Sequence, residues 1–139
     1  MTERAIEAPI VLGKHLIAEL WGASPDAFND PDLIRESLVA AAERGNFTIL
    51  DVHVHTFSPH GVTGVLVLAE SHISIHTWPE YNYAALDVFT CAGDPWAALE
   101  ELKARLHVAR VEVRELDRGL LRTLAPGATV PAGHRAHSV

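Results

Sequence analysis

The segment LAESHISIHTWPEYNYAALDVFTC, residues 68–91, decides how this chain folds. Ile73 and Ile75 alternate with polar residues until Pro79 interrupts the run, and this alternation predicts a strand. Residues 84–90 alternate in the same way and predict a second strand. Because the link between them is too short for a crossover helix, we expect antiparallel neighbours. The segment also gathers serine, histidine, carboxylate and aromatic side chains together with the single cysteine of the chain.

The sequence on either side of this segment predicts four more strands. Residues 10–21 are strand-like, and residues 47–57 alternate between the two faces of a strand. Residues 62–69 form an apolar run after a turn that contains proline and glycine. Residues 108–116 alternate again and predict the last strand.

Two helices are marked by their start and stop signals. Asp30 can cap the first helix, with Pro31 in its first turn and Gly45 after its last residue. Asp94 and Pro95 repeat the cap-plus-proline signal for the second helix. Helical spacing assigns to the core Leu33, Ile34, Leu38 and Ala41 of the first helix and Trp96, Leu99, Leu102 and Leu106 of the second.

The order of these elements predicts one α+β domain over residues 1–139. We expect a two-layer sandwich in which two helices cover one face of an antiparallel sheet. Because apolar residues occur on both faces of the strands, the open face needs a cover. A homodimer that stacks sheet to sheet, in a four-layer αββα arrangement, would provide it. Residues 124–139 lack periodicity, and we expect a mobile tail there.

Composition excludes several classes of function. The net charge of −7 and the lack of a Lys/Arg cluster argue against nucleic-acid binding. No run approaches the length of a membrane span, and the N-terminal residues lack the apolar core of a signal peptide. A single cysteine cannot form an internal disulfide, which is typical of a reducing compartment. These features predict a cytoplasmic protein.

Nine histidines raise the question of a metal site. The motifs HExxH and the facial triad are absent from the sequence, and histidines two apart on a strand arise easily by chance. We therefore predict no metal. The alternative site would draw its ligands from His53, His55, His72, His76, Glu70 and Glu80.

Cys91 and Ser71 are candidate reactive groups with ordinary structural alternatives. Cys91 comes just before a predicted helix, where a thiol gains acidity, although lone cysteines are often simply buried. Ser71 lies where an apolar strand ends, and taken alone it would be an ordinary turn serine. The residues around them change this interpretation.

ESHISIHTWPEYNYAALDVFTC, residues 70–91, resembles the signature of the small prokaryotic S-adenosylmethionine decarboxylases, which make their own pyruvoyl cofactor. The resemblance extends over about residues 12–119, with Lys14 standing where the family usually has arginine. Three further segments carry it: GKHLIAELWG (13–22), FSPHGVTGVLVLAE (57–70) and DPWAALEELKARL (94–106).

The resemblance implies that the chain cuts itself. The Ser71 hydroxyl would attack the Glu70 carbonyl and convert the peptide bond to an ester. Elimination across Ser71 would then cut the chain and leave dehydroalanine, which takes up water and loses ammonia to give a pyruvoyl group. The products would be a β chain, residues 1–70, and an α chain, residues 71–139. The pyruvoyl ketone would bind the substrate amine as a Schiff base and withdraw electrons from the α-carbon.

Three more residues match family positions with a role in the chemistry. His76 matches the histidine that assists cleavage by proton transfer, and Cys91 matches the acid that returns a proton to the α-carbon. Thr63 stands where the family usually has a serine that helps processing, and it keeps the hydroxyl. Because Ser71 and His76 are five residues apart on one predicted strand, a bend or bulge must intervene if the two meet.

Phe57, Trp78 and Glu80 match the nucleoside-binding positions of the family. An aromatic ring can stack on adenine, and a carboxylate can accept hydrogen bonds from both ribose hydroxyls. The implied reaction is decarboxylation of S-adenosylmethionine to the aminopropyl donor for spermidine synthesis, in a homodimer with active sites at its interface. Two alternatives remain: a pyruvoyl-dependent decarboxylase of ornithine or arginine, and an uncleaved, non-catalytic paralogue.

Overall fold

The computed structural model describes residues 10–121, so the predicted tail at 124–139 lies outside the described part. These residues form a six-stranded antiparallel sheet and two α-helices, which confirms the predicted α+β class. The strands lie in the order β2-β3-β4-β5-β1-β6. The elements are β1 Ile10–Trp21, α1 Pro31–Arg44, β2 Ile49–Thr56, β3 Val62–Leu68, β4 Ser71–Trp78, β5 Tyr83–Thr90, α2 Pro95–Leu106 and β6 Arg110–Leu121.

Both helices begin as the sequence predicts. The Asp30 side chain accepts a hydrogen bond from the backbone N–H of Leu33 at 3.1 Å. Asp94 accepts from the N–H groups of Trp96 and Ala97, each at 3.1 Å. A proline follows each cap, where its missing N–H costs nothing because the first helical N–H groups have no partner within the helix.

The core lies between the helices and one face of the sheet. Its largest fully buried side chains come from both layers: Leu16, Leu20, Phe28, Ile34, Leu38, Leu66, Leu68, Ile73, Ile75, Leu86, Leu99 and Leu102. The prediction that Trp96 faces this core is wrong, because its side chain is 43% exposed. Its indole N–H instead donates to Glu115 on β6 at 2.7 Å, so it ties the first turn of α2 to the sheet.

In the described part of the chain, no helix covers the other face of the sheet, here called the open face. Strand register sets its side chains in rows across the sheet. The open face is polar as well as apolar, since His15 bonds to Asp87 at 2.9 Å there and further histidines lie beside apolar residues. Two rows matter below: His55, Thr63, His76, Ala85, Glu19 and Glu112; and Trp78, Tyr83, Trp21 and Arg110.

Thr77 ties the end of β4 to two neighbouring segments. Its buried Oγ1 accepts a hydrogen bond from the Val62 N–H at 2.8 Å and lies 2.7 Å from the Phe28 carbonyl, to which it donates. The Val62 contact fixes the start of β3, and the Phe28 contact fixes the loop before α1. Thr77 therefore ties the end of β4 to the start of β3 and to the loop before α1.

Replacing Thr77 with valine is expected to lower the free energy of unfolding by about 1–3 kcal/mol, because an isosteric methyl cannot make these buried hydrogen bonds. Urea titration followed by circular dichroism measures the change. Thr77→Ser keeps the hydroxyl and should lose less. Equal stability of the valine variant and the unmodified protein would contradict this role.

Candidate active site

One group of predicted site residues lies at the turn between β3 and β4. Ala69 and Glu70 form this two-residue turn, and Glu70 has a φ of 63°, in the left-handed region. That conformation costs a non-glycine residue roughly 1–2 kcal/mol. The bond between Glu70 and Ser71, where the resemblance places the cut, therefore follows directly after a strained residue.

Cys91 lies beside the same bond, just after the end of β5. Its thiol donates a hydrogen bond to the Glu70 carbonyl oxygen, with Sγ and O 3.0 Å apart. Such a bond draws electrons from the carbonyl and makes its carbon a better target for a nucleophile. A cavity of about 210 Å³, here called the turn pocket, is lined by Asn46, Phe47, Thr48, Ala69, Glu70, Ser71, Cys91, Ala92 and Gly93.

A second group of predicted site residues lies on the open face. Thr63 and His76 are directly opposite each other on β3 and β4, and Thr63 Oγ1 lies 3.0 Å from His76 Nδ1. The threonine that departs from the family pattern thus presents its hydroxyl to the histidine. A cavity of about 310 Å³, the open-face pocket, is lined by Phe57, His60, Gly61, Thr63, His76, Thr77, Trp78 and Glu80.

The aromatic side chains of the open-face pocket do not belong to the core. Phe57 is 50% exposed and Trp78 is 39% exposed, which argues against a purely structural interpretation of either. The edge of the His55 ring meets the Phe57 ring, with centroids 4.6 Å apart. Trp78 stacks on Tyr83 with centroids 5.4 Å apart, and Tyr83 contacts Trp21 in turn. The rings of Phe57 and Trp78 can therefore offer a flat apolar surface to a ligand.

The row of aromatic rings carries a polar contact that no local sequence signal predicts. The Tyr83 hydroxyl donates to the Glu19 carboxylate from the neighbouring strand. Partial burial, and then this hydrogen bond, raise the pKa of Tyr83 to about 12. Tyr83 is thus a neutral donor at physiological pH. Its hydrogen bond to Glu19 holds its ring in the position where Trp78 stacks on it.

The two groups of residues lie at opposite ends of β4. Ser71 begins the strand and shares its side with the buried Ile73 and Ile75, whereas His76 faces the open side. The pairing of β4 with β3 and β5 runs without a register shift. Strand β4 therefore lacks the bend that would let Ser71 and His76 of one chain meet. At about 3.3 Å per residue, Ser71 and His76 lie roughly 16 Å apart along the strand.

His60 is a further residue of the open-face pocket that the sequence did not single out. Its Nε2 lies 3.0 Å from the Glu80 Oε1, so the imidazole contacts one of the predicted substrate-binding groups. The two residues are twenty positions apart and belong to different loops. Only the register of β3 against β4 brings them together, and no local sequence signal reports it.

Within residues 10–121, no three His, Cys, Asp or Glu side chains are grouped closely enough to hold a metal ion. His55 and His76 share one row of the open face, with Thr63 between them, whereas His53 and His72 lie on two other rows. No helix in the same range has the length and apolar character that crossing a bilayer requires.

The family model described as S-adenosylmethionine decarboxylase matches residues 14–119. An S-adenosylmethionine decarboxylase proenzyme of Methanococcus vannielii is 49% identical over 112 residues, which cover 79% of this chain and 92% of that protein. One of Thermotoga petrophila is 46% identical over 110 residues, covering 78% of this chain and 85% of that protein.

A solved structure is similar as well. The crystal structure of the adenosylmethionine decarboxylase from Aquifex aeolicus superimposes with a TM-score of 0.73 at 37% identity, and it covers 87% of this chain and 98% of that chain. The family match spans every strand and both helices except the outermost residues of β1 and β6. The chain therefore belongs to the S-adenosylmethionine decarboxylase family.

Proposed function

We propose that this chain is a self-cleaving decarboxylase that converts S-adenosylmethionine to the aminopropyl donor for spermidine synthesis. The observation that carries the proposal is the hydrogen bond from the Cys91 thiol to the Glu70 carbonyl. It brings the proposed proton donor to the bond that Ser71 must break. Cleavage there would turn Ser71 into a pyruvoyl group at the start of residues 71–139.

The cut requires a nucleophile and a polarised carbonyl, and it is favoured by backbone strain next to the peptide bond that breaks. Ser71 supplies the hydroxyl, and Cys91 donates to the carbonyl oxygen on which negative charge develops. The left-handed conformation of Glu70 adds strain that opening of the turn can release. These three features of one turn fit the formation of a pyruvoyl group from Ser71.

Proton transfer during the cut is assigned to His76, with Thr63 stabilising the charged oxygen. Because Ser71 and His76 of one chain lie far apart, at the two ends of β4, we assign His76 and Thr63 to a second copy of the chain. If a two-fold axis lies between the two stacked sheets and perpendicular to the strands, the strands of the two protomers run in opposite directions. This arrangement sets the Ser71 end of one β4 against the partner's His76.

A sheet-to-sheet homodimer would therefore complete two active sites, each from both protomers. The turn pocket of one chain would contribute Ser71 and Cys91, and the open-face pocket of the other would contribute the proton-transfer pair and the substrate-binding groups. This dimer also covers the aromatic and histidine-rich open face, which the described helices leave bare.

The open-face pocket suits a nucleoside. Phe57 and Trp78 offer exposed ring faces to adenine, and the Glu80 carboxylate can accept hydrogen bonds from the two ribose hydroxyls. A cavity of about 310 Å³ lies at the lower end of the range for small-molecule sites. A second protomer would close it further and exclude water.

Decarboxylation leaves negative charge on the α-carbon, and the pyruvoyl carbonyl supplies the electron sink that delocalises it. We assign to Cys91 the return of a proton to that carbon, and the contact of its thiol with the carbonyl preceding Ser71 supports this assignment. A thiol has an ordinary pKa of about 8.5 and can donate a proton near neutral pH.

Because the proton-donor role requires a reduced cysteine, we propose that the enzyme works in the cytoplasm.

Release of carbon dioxide from carboxyl-labelled substrates tests the proposal. The purified protein is expected to decarboxylate S-adenosylmethionine and to leave ornithine and arginine unchanged, because only the first carries the adenine and ribose that the open-face pocket fits. Turnover of ornithine or arginine without turnover of S-adenosylmethionine would overturn the substrate assignment. No turnover of any of the three by an uncleaved chain would favour a non-catalytic paralogue.

A further inference from the structure

We propose that His60 is a positioning residue that orients the Glu80 carboxylate toward the ribose hydroxyls and thereby sets the affinity of the enzyme for its nucleoside substrate. The inference rests on the proposed function, in which Glu80 binds the ribose. His60 itself occupies a variable position of the segment FSPHGVTG, residues 57–64, to which the family resemblance assigns no role.

The contact between the two residues is direct and lies within the open-face pocket. His60 Nε2 and Glu80 Oε1 are 3.0 Å apart, and both side chains line the cavity that Phe57 and Trp78 also enter. A carboxylate has about four acceptor positions on its two oxygens. The imidazole contact at Oε1 limits the orientations that the carboxylate can adopt, and it still leaves acceptor positions on both oxygens for a diol.

His60 is held by a fixed turn. The N–H of the next residue, Gly61, donates to the Asn29 side chain at 2.9 Å, and the Gly61 carbonyl accepts from the Phe57 N–H at 2.9 Å. Gly61 has a φ of 112°, a value that residues with a side chain rarely adopt. The position of the His60 backbone thus follows from hydrogen bonds on both sides of the turn.

Glu80 is held with similar precision on the facing loop. It is the middle residue of the short 3-10 turn Pro79–Tyr81, which the Asn82 N–H closes by donating to the Pro79 carbonyl at 3.0 Å. Asn82 in turn anchors this loop, because its side chain accepts from the Ala23 N–H at 3.1 Å. Two fixed turns therefore hold the backbones from which the imidazole and the carboxylate meet in the lining of one cavity.

His60 and Glu80 are themselves surface residues, with side chains 37% and 40% exposed. Exposed pairs contribute little to stability, and side-chain entropy largely offsets their attraction. The pair of Arg105 and Glu101 on α2, at 2.7 Å, is an example that lines neither the turn pocket nor the open-face pocket. What distinguishes His60 and Glu80 is that one member of the pair is a proposed ligand contact, so loss of the other should alter binding rather than folding.

The test compares His60→Ala, His60→Gln and Glu80→Gln, with Arg105→Ala as the matched surface-pair control. For S-adenosylmethionine, His60→Ala is expected to raise KM about three- to tenfold, the effect of ordering one side chain, with kcat within about twofold. Glutamine can still donate a hydrogen bond to Glu80, so His60→Gln should restore much of the affinity. Arg105→Ala should match the unmodified enzyme.

A calorimetric titration with 5′-methylthioadenosine and its 2′-deoxy analogue gives a readout that does not depend on turnover. The loss of affinity in His60→Ala should be smaller for the analogue, which lacks one of the two hydroxyls. If Glu80→Gln weakens nucleoside binding but His60→Ala does not, the positioning role is wrong while the proposed function stands. If Glu80→Gln leaves nucleoside binding unchanged, the proposed site itself is wrong. A fall in kcat at unchanged KM would place His60 in the chemistry and overturn the inference.

Discussion

Ser71→Ala is expected to leave the protein as one uncleaved chain that releases no carbon dioxide from S-adenosylmethionine. Alanine has no hydroxyl to attack the Glu70 carbonyl, and without the cut no pyruvoyl group can form. The effect should be complete rather than partial, because the variant loses the reactive group itself. Intact-mass spectrometry and carbon dioxide release measure the two parts of the prediction.

The unmodified protein should instead show two fragments, residues 1–70 and 71–139, with the second lighter by one ammonia than a fragment that starts with serine. Ser74→Ala is the matched control, because Ser74 lies on the same strand and faces Val65 and Asp87 of the neighbouring strands. It should cleave normally. Cleavage of the Ser71→Ala chain at the same bond would remove Ser71 from its proposed role.

Two variants that fail separately should restore a working site when they are combined in one dimer. His76→Ala is expected to slow cleavage by roughly two to four orders of magnitude, the usual contribution of a general acid–base residue. Coexpressed with Ser71→Ala under a different affinity tag, it can be isolated as a hybrid dimer. One site of that hybrid combines an intact Ser71 with the partner's His76.

In the hybrid, the His76→Ala chain should cleave at a rate near that of the unmodified protein, and the Ser71→Ala chain should stay whole. The decarboxylase activity should approach half of normal, since only one of two sites is complete. Hybrids in which neither chain cleaves would show that each protomer must supply both residues itself, and the site shared between protomers would then be wrong. Each variant alone provides the baseline.

Most of the fold could be predicted from local sequence patterns. Alternation located four strands, strand-like or apolar runs located β1 and β3, and the pairs Asp30–Pro31 and Asp94–Pro95 located both helix starts. Strand β6 continues to Leu121, five residues beyond the predicted end at 116, because it pairs with β1 as far as Ile10. That extension depends on a partner 111 residues away in sequence and leaves no local signal.

The site could be predicted as a set of residues but not as an arrangement. The family resemblance supplied Ser71, His76 and Cys91, and strand geometry already placed the first two on opposite faces. A bend in β4 was required only if Ser71 and His76 of one chain meet, and β4 is regular. Trp96 was assigned to the core from helical spacing alone, which could not anticipate Glu115 at the edge of the sheet.

The position of the scissile bond in a two-residue turn has a consequence for how the mature enzyme persists. Cleavage at this turn leaves the ladder between β3 and β4 in place, so the two fragments stay associated through backbone hydrogen bonds and a shared core. Once unfolded and diluted, however, they are separate molecules that must find each other again. Refolding would become concentration-dependent, and the lifetime of the mature enzyme would be governed by its rate of unfolding rather than by an equilibrium.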